Sequence, residues 1–314
     1  MRVLLILLLA LGLSACKALR PGAKDNVDPP RELVAFTPSL TVTRAWSQSV
    51  GKGERLLRAD MGPSFGDGRI YAASPDGRLH AFDADSGRVV WSVRGDDRYS
   101  STPGFGDGLV VVGTLDGAVV AYDASSGSER WRAAAPSEVI ARPAIEDGVV
   151  VARIHDGRMF GLSARDGSRL WVYDRGVPTL TLRGNAPPLV RGGAVFAGYD
   201  DGRVVSLRLN DGAQRWEQTL SLREGRTDLE RMADVDGDLQ MVGSDVYAAA
   251  FGGQASALTS DAGRQLWVRD LSTPVGIGLA GRQVFAVDQS SVVFALDRAS
   301  GSALWRQDAL EFCQ

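Results

Sequence analysis

Gly68-Arg-Ile-Tyr-Ala-Ala-Ser-Pro-Asp76-Gly77-Arg-Leu-His-Ala-Phe-Asp-Ala-Asp-Ser-Gly87-Arg-Val-Val-Trp91 carries the reading of the whole chain. Short β-rich runs alternate with Asp-Gly pairs, which join antiparallel strands tightly. Its last five residues set a pattern, Gly-x-x-x-Trp, that recurs as Gly127 to Trp131, Gly167 to Trp171, Gly212 to Trp216, Gly263 to Trp267 and Gly301 to Trp305. The steps between tryptophans are 40, 40, 45, 51 and 38 residues. A period near 40 points to propellers or helical arrays. Strand length decides between them. Apolar runs such as Leu109 to Val112 and Ala118 to Tyr122 span four or five residues, too short for helices of about 10 or more. The expected fold is therefore all-β, a β-propeller of four-stranded antiparallel blades, with six complete repeats. Trp91, Trp131, Trp171, Trp216, Trp267 and Trp305 are read as blade-docking residues. A large indole on each outermost strand wedges between neighbouring blades and donates its N–H to a backbone carbonyl.

Composition supports a large packed fold. The 314 residues are 44% hydrophobic and include 37 glycines, which favours many turns over long helices. The formal charge of −3 comes without a basic stripe, so the electrostatic footprint of a nucleic-acid binder is missing. Cys16 and Cys313 are the two cysteines.

The N-terminus reads as a secretory signal: Arg2, an apolar run from Val3 to Leu13, then small residues. The run is too short for a spanning helix, which needs roughly 20 residues. Leu13-Ser14-Ala15-Cys16 resembles the lipobox of bacterial lipoproteins, in which the cysteine is acylated and becomes the mature N-terminus. The expected layout is a signal peptide over 1–15, a lipidated N-terminus and flexible tether over 16–36 holding Pro21, Gly22, Pro29 and Pro30, and a propeller over 37–314. In lipoproteins of this type an Asp after the cysteine favours the inner membrane. Here Lys17 follows, and the resemblance implies an outer-membrane lipid anchor facing the periplasm.

Catalytic and metal motifs give poor matches. His80 and His155 lie 75 residues apart with no cysteine nearby to complete a zinc set. Asp234-Val-Asp236-Gly-Asp238 alternates carboxylates that suit calcium, but its glycine stands at position four rather than six of an EF-like loop. Neither a Gly-x-Ser-x-Gly elbow nor a Gly-x-x-x-x-Gly-Lys phosphate loop occurs. The expectation is a non-enzyme with no cofactor and no metal.

With Asp83, Asp123 and Asp297 in front, the repeat takes the form Asp-x-x-x-Gly-x-x-x-Trp and resembles that of quinoprotein-like propellers. Lipobox, tether and propeller together resemble the lipoprotein family of the outer-membrane β-barrel assembly machinery, and the likeness covers almost the whole chain. The pyrroloquinoline-quinone dehydrogenases share the scaffold, but their adjacent cysteine pair has no counterpart here. The resemblance implies eight blades. Trp46, in Thr43-Arg-Ala-Trp46, reads as the outer strand of a seventh, and the chain stops nine residues after Trp305, so a C-terminally truncated propeller is expected.

Two segments interrupt the repeat, and binding residues concentrate in such loops on a rigid scaffold. They are Gly176-Val-Pro-Thr-Leu180-Thr-Leu182-Arg183 and Asp228-Leu-Glu-Arg231-Met-Ala-Asp234-Val-Asp236. The resemblance implies that Leu180, Leu182, Arg183, Asp234 and Asp236 contact the periplasmic POTRA domains of the barrel-forming subunit, with nascent outer-membrane proteins as further partners. Blade-face packing of Leu180 and Leu182 and a solvated turn for the carboxylates are the structural alternatives. A periplasmic binding propeller unconnected with barrel assembly is the alternative function.

Overall fold

The computed structural model describes residues 29–35, 37–53, 61–176, 186–221, 234–235 and 237–313; the signal segment and Cys16 lie outside them. The described residues hold six four-stranded antiparallel sheets, each built from consecutive strands. Blade 1 is β1 (Ser64–Gly66), β2 (Arg69–Ser74), β3 (Arg78–Asp83) and β4 (Val89–Arg94). Blade 2 is β5 (Gly104–Gly106), β6 (Leu109–Gly113), β7 (Ala118–Asp123) and β8 (Glu129–Ala134), and blade 3 is β9 (Ala144–Glu146), β10 (Val149–Arg153), β11 (Met159–Ser163) and β12 (Arg169–Tyr173). Blade 4 is β13 (Leu189–Arg191), β14 (Ala194–Tyr199), β15 (Arg203–Arg208) and β16 (Gln214–Thr219). Blade 5 is β17 (Gln240–Val242), β18 (Asp245–Ala249), β19 (Gln254–Thr259) and β20 (Gln265–Asp270), and blade 6 is β21 (Ile277–Ala280), β22 (Gln283–Val287), β23 (Val293–Asp297) and β24 (Ala303–Gln307). First strands of successive blades touch, β1 with β5, β5 with β9, β9 with β13 and β17 with β21. The first strand of each blade therefore faces the central axis, and the fourth lies outermost, as in a propeller.

Local sequence explains the hairpins. Asp67-Gly68, Asp107-Gly108 and Asp147-Gly148 each put two successive residues at positive φ, the tight turn whose twist matches paired strands. The hydrophobic clusters join adjacent blades: Tyr71, Leu79 and Trp91 of blade 1 pack with Val110, Val120 and Tyr122 of blade 2.

The tryptophan is the agent of that packing. Across the hairpin, a small residue faces each one, as Ala81 faces Trp91, Gly161 faces Trp171 and Ser206 faces Trp216, and a register shift follows directly after that small residue. Such bulges re-aim a side chain. The indole then lies on the motif glycine of the next blade. A Cβ on Gly127 would stand 2.7 Å from the Trp91 ring, and the same holds for Gly167 under Trp131, Gly212 under Trp171, Gly263 under Trp216 and Gly301 under Trp267. The indole N–H of Trp91 donates to Ala124 O (2.9 Å), Trp131 to Ala164 O (2.8 Å), Trp171 to Leu209 O (2.7 Å), Trp216 to Ser260 O (2.9 Å) and Trp267 to Arg298 O (2.9 Å).

Two tryptophans mark the ends of this series. Trp46 docks on Gly87 and donates to Ala84 O (2.9 Å) just as the others do. Residues 41–50 nevertheless form no strand: docking needs only the following blade, whereas pairing needs a third strand beside it. Trp305 meets Phe285 at 5.9 Å but is 45% exposed, against 6–9% for the five tryptophans from Trp91 to Trp267. It carries the motif without the buried position. Trp131→Ala is expected to lose ~3–5 kcal/mol of stability in urea unfolding and Gly167→Ala ~1–3 kcal/mol, while Trp305→Ala loses less than either.

The aspartates read in the repeat cap the turn before the outer strand. Asp123 Oδ1 accepts from the N–H groups of Ser125 and Ser126 (3.0 Å each) and from their hydroxyls, and Asp83 and Asp297 do the same for Ser86 and Ser300. Hydrogen bonds from the Ser125 and Ser126 hydroxyls, then from the Ser126 amide, pull the Asp123 carboxyl down to about 2. A carboxylate lowered in the folded state stabilises above its ordinary value and loses that contribution as pH falls. The denaturation midpoint of the parent should therefore fall more steeply between pH 4 and pH 2 than that of Asp123→Asn.

Candidate partner-binding rim

Connections between blades differ in length. Four residues separate Arg94 from Tyr99 and four separate Ala134 from Val139, but twelve lie between Tyr173 and Ala186 and fifteen between Thr219 and Val235. Tyr99, Val139, Ala186 and Val235 are all fully buried and serve as straps where the chain enters the next blade. Thr114 O accepts from the Val139 N–H (3.1 Å) and Tyr199 O from the Val235 N–H (3.2 Å). The two long connections thus replace equivalent short ones, at the same rim, flanking blade 4.

Leu180, Leu182, Arg183 and Asp236 lie outside the described residues. Asp234 lies within them and is 1% exposed. This corrects the expectation of a surface carboxylate at Asp234: the residue belongs to a strap. Its carbonyl accepts from Phe251 N–H (2.7 Å) as that of Glu138 accepts from His155 N–H (2.9 Å). Asp238 pairs with Arg142 at 3.1 Å. His80 is likewise structural. It bonds Val50 O through Nε2 (3.1 Å) and stacks on Phe82, and burial holds its pKa below the usual histidine range.

The described ends of both long connections converge on one turn, Tyr199-Asp200-Asp201-Gly202. Leu220 and Ser221 donate their N–H groups to Gly202 O (2.8 and 3.2 Å), Val235 donates to Tyr199 O, and Val235 packs against Gly198 so closely that a Cβ there would lie 2.4 Å away. On the other side, Arg153 reaches the turn from blade 3. The side chain is 0% exposed. It donates to Asp200 Oδ1 (2.8 Å), Gly198 O (2.7 Å) and Ala186 O (3.2 Å), the last directly after the first long connection. Arg175, the second residue of that connection, pairs with Asp201 (2.7 Å) and Glu217 (2.6 Å). Both guanidinium groups lie over the Tyr199 ring, at 4.7 and 5.4 Å from its centre. Burial raises the Tyr199 hydroxyl above the usual tyrosine range. Hydrogen bonds from Arg175, with Arg203 adding to them, hold Glu217 below the usual carboxylate range.

Motif reading missed Arg153 and Asp200, yet aligned repeats carry a signal. Where blade 3 has Arg153, blades 1, 2, 4 and 5 have Ala73, Gly113, Gly198 and Ala249. Where blade 4 has Asp200, blades 1, 2, 3 and 5 have Pro75, Leu115, His155 and Phe251. Removing one partner of a buried pair strands the other charge. Arg153→Met is therefore expected to lower stability by ~3–5 kcal/mol in denaturant unfolding.

Sequential four-stranded blades locked by Gly-x-x-x-Trp docking define a quinoprotein-like β-propeller. A family model described as "Outer membrane protein assembly factor BamB" matches residues 31–117 and 97–307. A protein of that name from Xanthomonas campestris pv. campestris is 41% identical, across 98% of this chain and 80% of its own length. Its counterpart from Pseudomonas aeruginosa is 42% identical across 97% and 79%. The crystal structure of BamB from Moraxella catarrhalis superimposes with a TM-score of 0.75 at 27% identity, covering 84% of this chain and 80% of that one. The chain belongs to the BamB family.

Proposed function

We propose that this chain is a non-catalytic outer-membrane protein assembly factor, a scaffold held at the periplasmic face of the outer membrane by lipid on Cys16. Through the blade 4 rim it binds the POTRA domains of the barrel-forming subunit and thereby assists insertion of outer-membrane proteins. The observation that carries this reading is the convergence of the two longest blade connections on one braced turn, in a chain whose relatives are named assembly factors. Leu180, Leu182, Arg183 and Asp236 are assigned to the contact; Asp234 acts from inside as part of the strap. Anchoring both partners at one membrane raises their effective concentration, so a small contact suffices.

Replacing Leu182 and Arg183 together with alanine is expected to cut co-purification with the barrel-forming subunit about tenfold or more, the loss of roughly 1.4 kcal/mol or more of binding. Thermal unfolding should be unchanged. Recovery at the parent level from a folded variant sinks the contact assignment.

A further inference from the structure

We infer that Arg153 and Asp200 are positioning residues for partner binding: a buried ion pair that fixes the turn on which both long connections are mounted. The inference rests on the reading of the blade 4 rim as the partner surface. The other blade interfaces described are held by an indole on a glycine and by apolar strands, with hydrogen bonds at their margins such as Arg69 to Ala124 O (2.6 Å), whereas the Arg153–Asp200 pair is 0% and 5% exposed. The interface between blades 3 and 4 has that contact too, Trp171 on Gly212, so it does not need a second lock to stay together.

The pair is placed for direction rather than strength. A guanidinium offers its donors in a rigid fork, and Arg153 directs Nη1 and Nη2 to three acceptors that belong to different parts of the rim. Ala186 O follows the first connection, Gly198 O belongs to the residue against which strap residue Val235 packs, and Asp200 lies in the turn itself. From that turn, Gly202 O and Tyr199 O take the amides of Leu220, Ser221 and Val235, the start and end of the second connection. One side chain in blade 3 thus sets the ends of both connections relative to each other. A buried ion pair gives little net stability over an apolar pair of similar volume, and in some proteins it is retained for structural specificity. Here it stands beside the two connections that break the repeat. Arg175 braces the same turn through Asp201 and Glu217.

The test replaces both charges with apolar groups, Arg153→Met with Asp200→Leu, a change that leaves no unpaired charge inside. The melting temperature should stay within a few degrees of the parent. Amide hydrogen exchange at Leu220, Ser221 and Val235 should quicken about tenfold or more, with Val111 in blade 2 unchanged, because those amides lose a fixed acceptor. Co-purification with the barrel-forming subunit should fall about tenfold. If the double variant does not fold, Asp200→Asn is read by the same two measurements, with a loss of about threefold or more expected in capture.

Unchanged capture in a folded variant overturns the inference, and so does unchanged exchange at the three amides. The Leu182 and Arg183 substitutions run alongside separate the two failures. If they abolish capture while the Arg153 and Asp200 variant retains it, the rim is the partner surface and the ion pair does not position it. If neither changes capture, the rim itself is misassigned and the inference falls with it.

Discussion

The indole of one blade resting on the motif glycine of the next is the contact on which the rest of this molecule depends. It makes two demands at once. The glycine must take a left-handed conformation, with φ of 74° at Gly127, and its α-carbon must carry no side chain, because the Trp91 ring occupies that space. Each blade therefore presents a glycine to its predecessor and a tryptophan to its successor. The core lies in the interfaces, as where Val149, Met159 and Trp171 of blade 3 pack with Val195, Val205 and Leu207 of blade 4. Stability of such an array is close to a sum over neighbouring units.

A scaffold built from one repeated contact leaves its connections free to differ. The strands and the docking carbonyl keep their places when the connection after blade 3 holds twelve residues instead of four. Length added there does not disturb the interface, since Trp171 sits on Gly212 as closely as Trp91 sits on Gly127. Long connections over a rigid frame are where binding residues accumulate. The described ends of both lie beside blade 4, at Arg175 and Ala186 before it and at Leu220, Ser221 and Val235 after it.

What was legible in the sequence follows from which positions admit one residue type. Trp91 and Gly127 are such positions, and the blade number, strand order and interface chemistry could all be read from them. Trp46 was legible for the same reason, since its docking asks only for Gly87; its lack of strand pairing was not, because pairing depends on a neighbour outside the motif. Asp123 was visible at a fixed distance from its glycine. In blades 3 and 4 the cap comes instead from Asp166 and Asp211, one residue before the glycine, and bonds the amides of Ser168 and Ala213 (3.1 and 3.0 Å). Asp234 was misplaced because straps share a position without sharing a residue. Tyr99, Val139, Ala186 and Val235 are alike only in being buried, so the end of the second insertion could not be told from its middle.

Arg153 illustrates a further limit. At the close of Val149-Val-Val-Ala-Arg153 it ends an apolar run and looks like the polar boundary of a strand, yet it is more buried than the tryptophans. Its burial follows from Asp200, 47 residues later, and neither residue explains itself without the other. The two kinds of contact divide the work of the molecule. Docking of indole on glycine gives much stability and is the same at every described interface, so it cannot mark one interface as different. The ion pair adds little net stability but is confined to the junction of blades 3 and 4, where its three acceptors tie the ends of the connections that depart from the repeat. A regular array acquires a unique face by such a local departure, and a buried charge held by three directed acceptors specifies that face more narrowly than another apolar contact would.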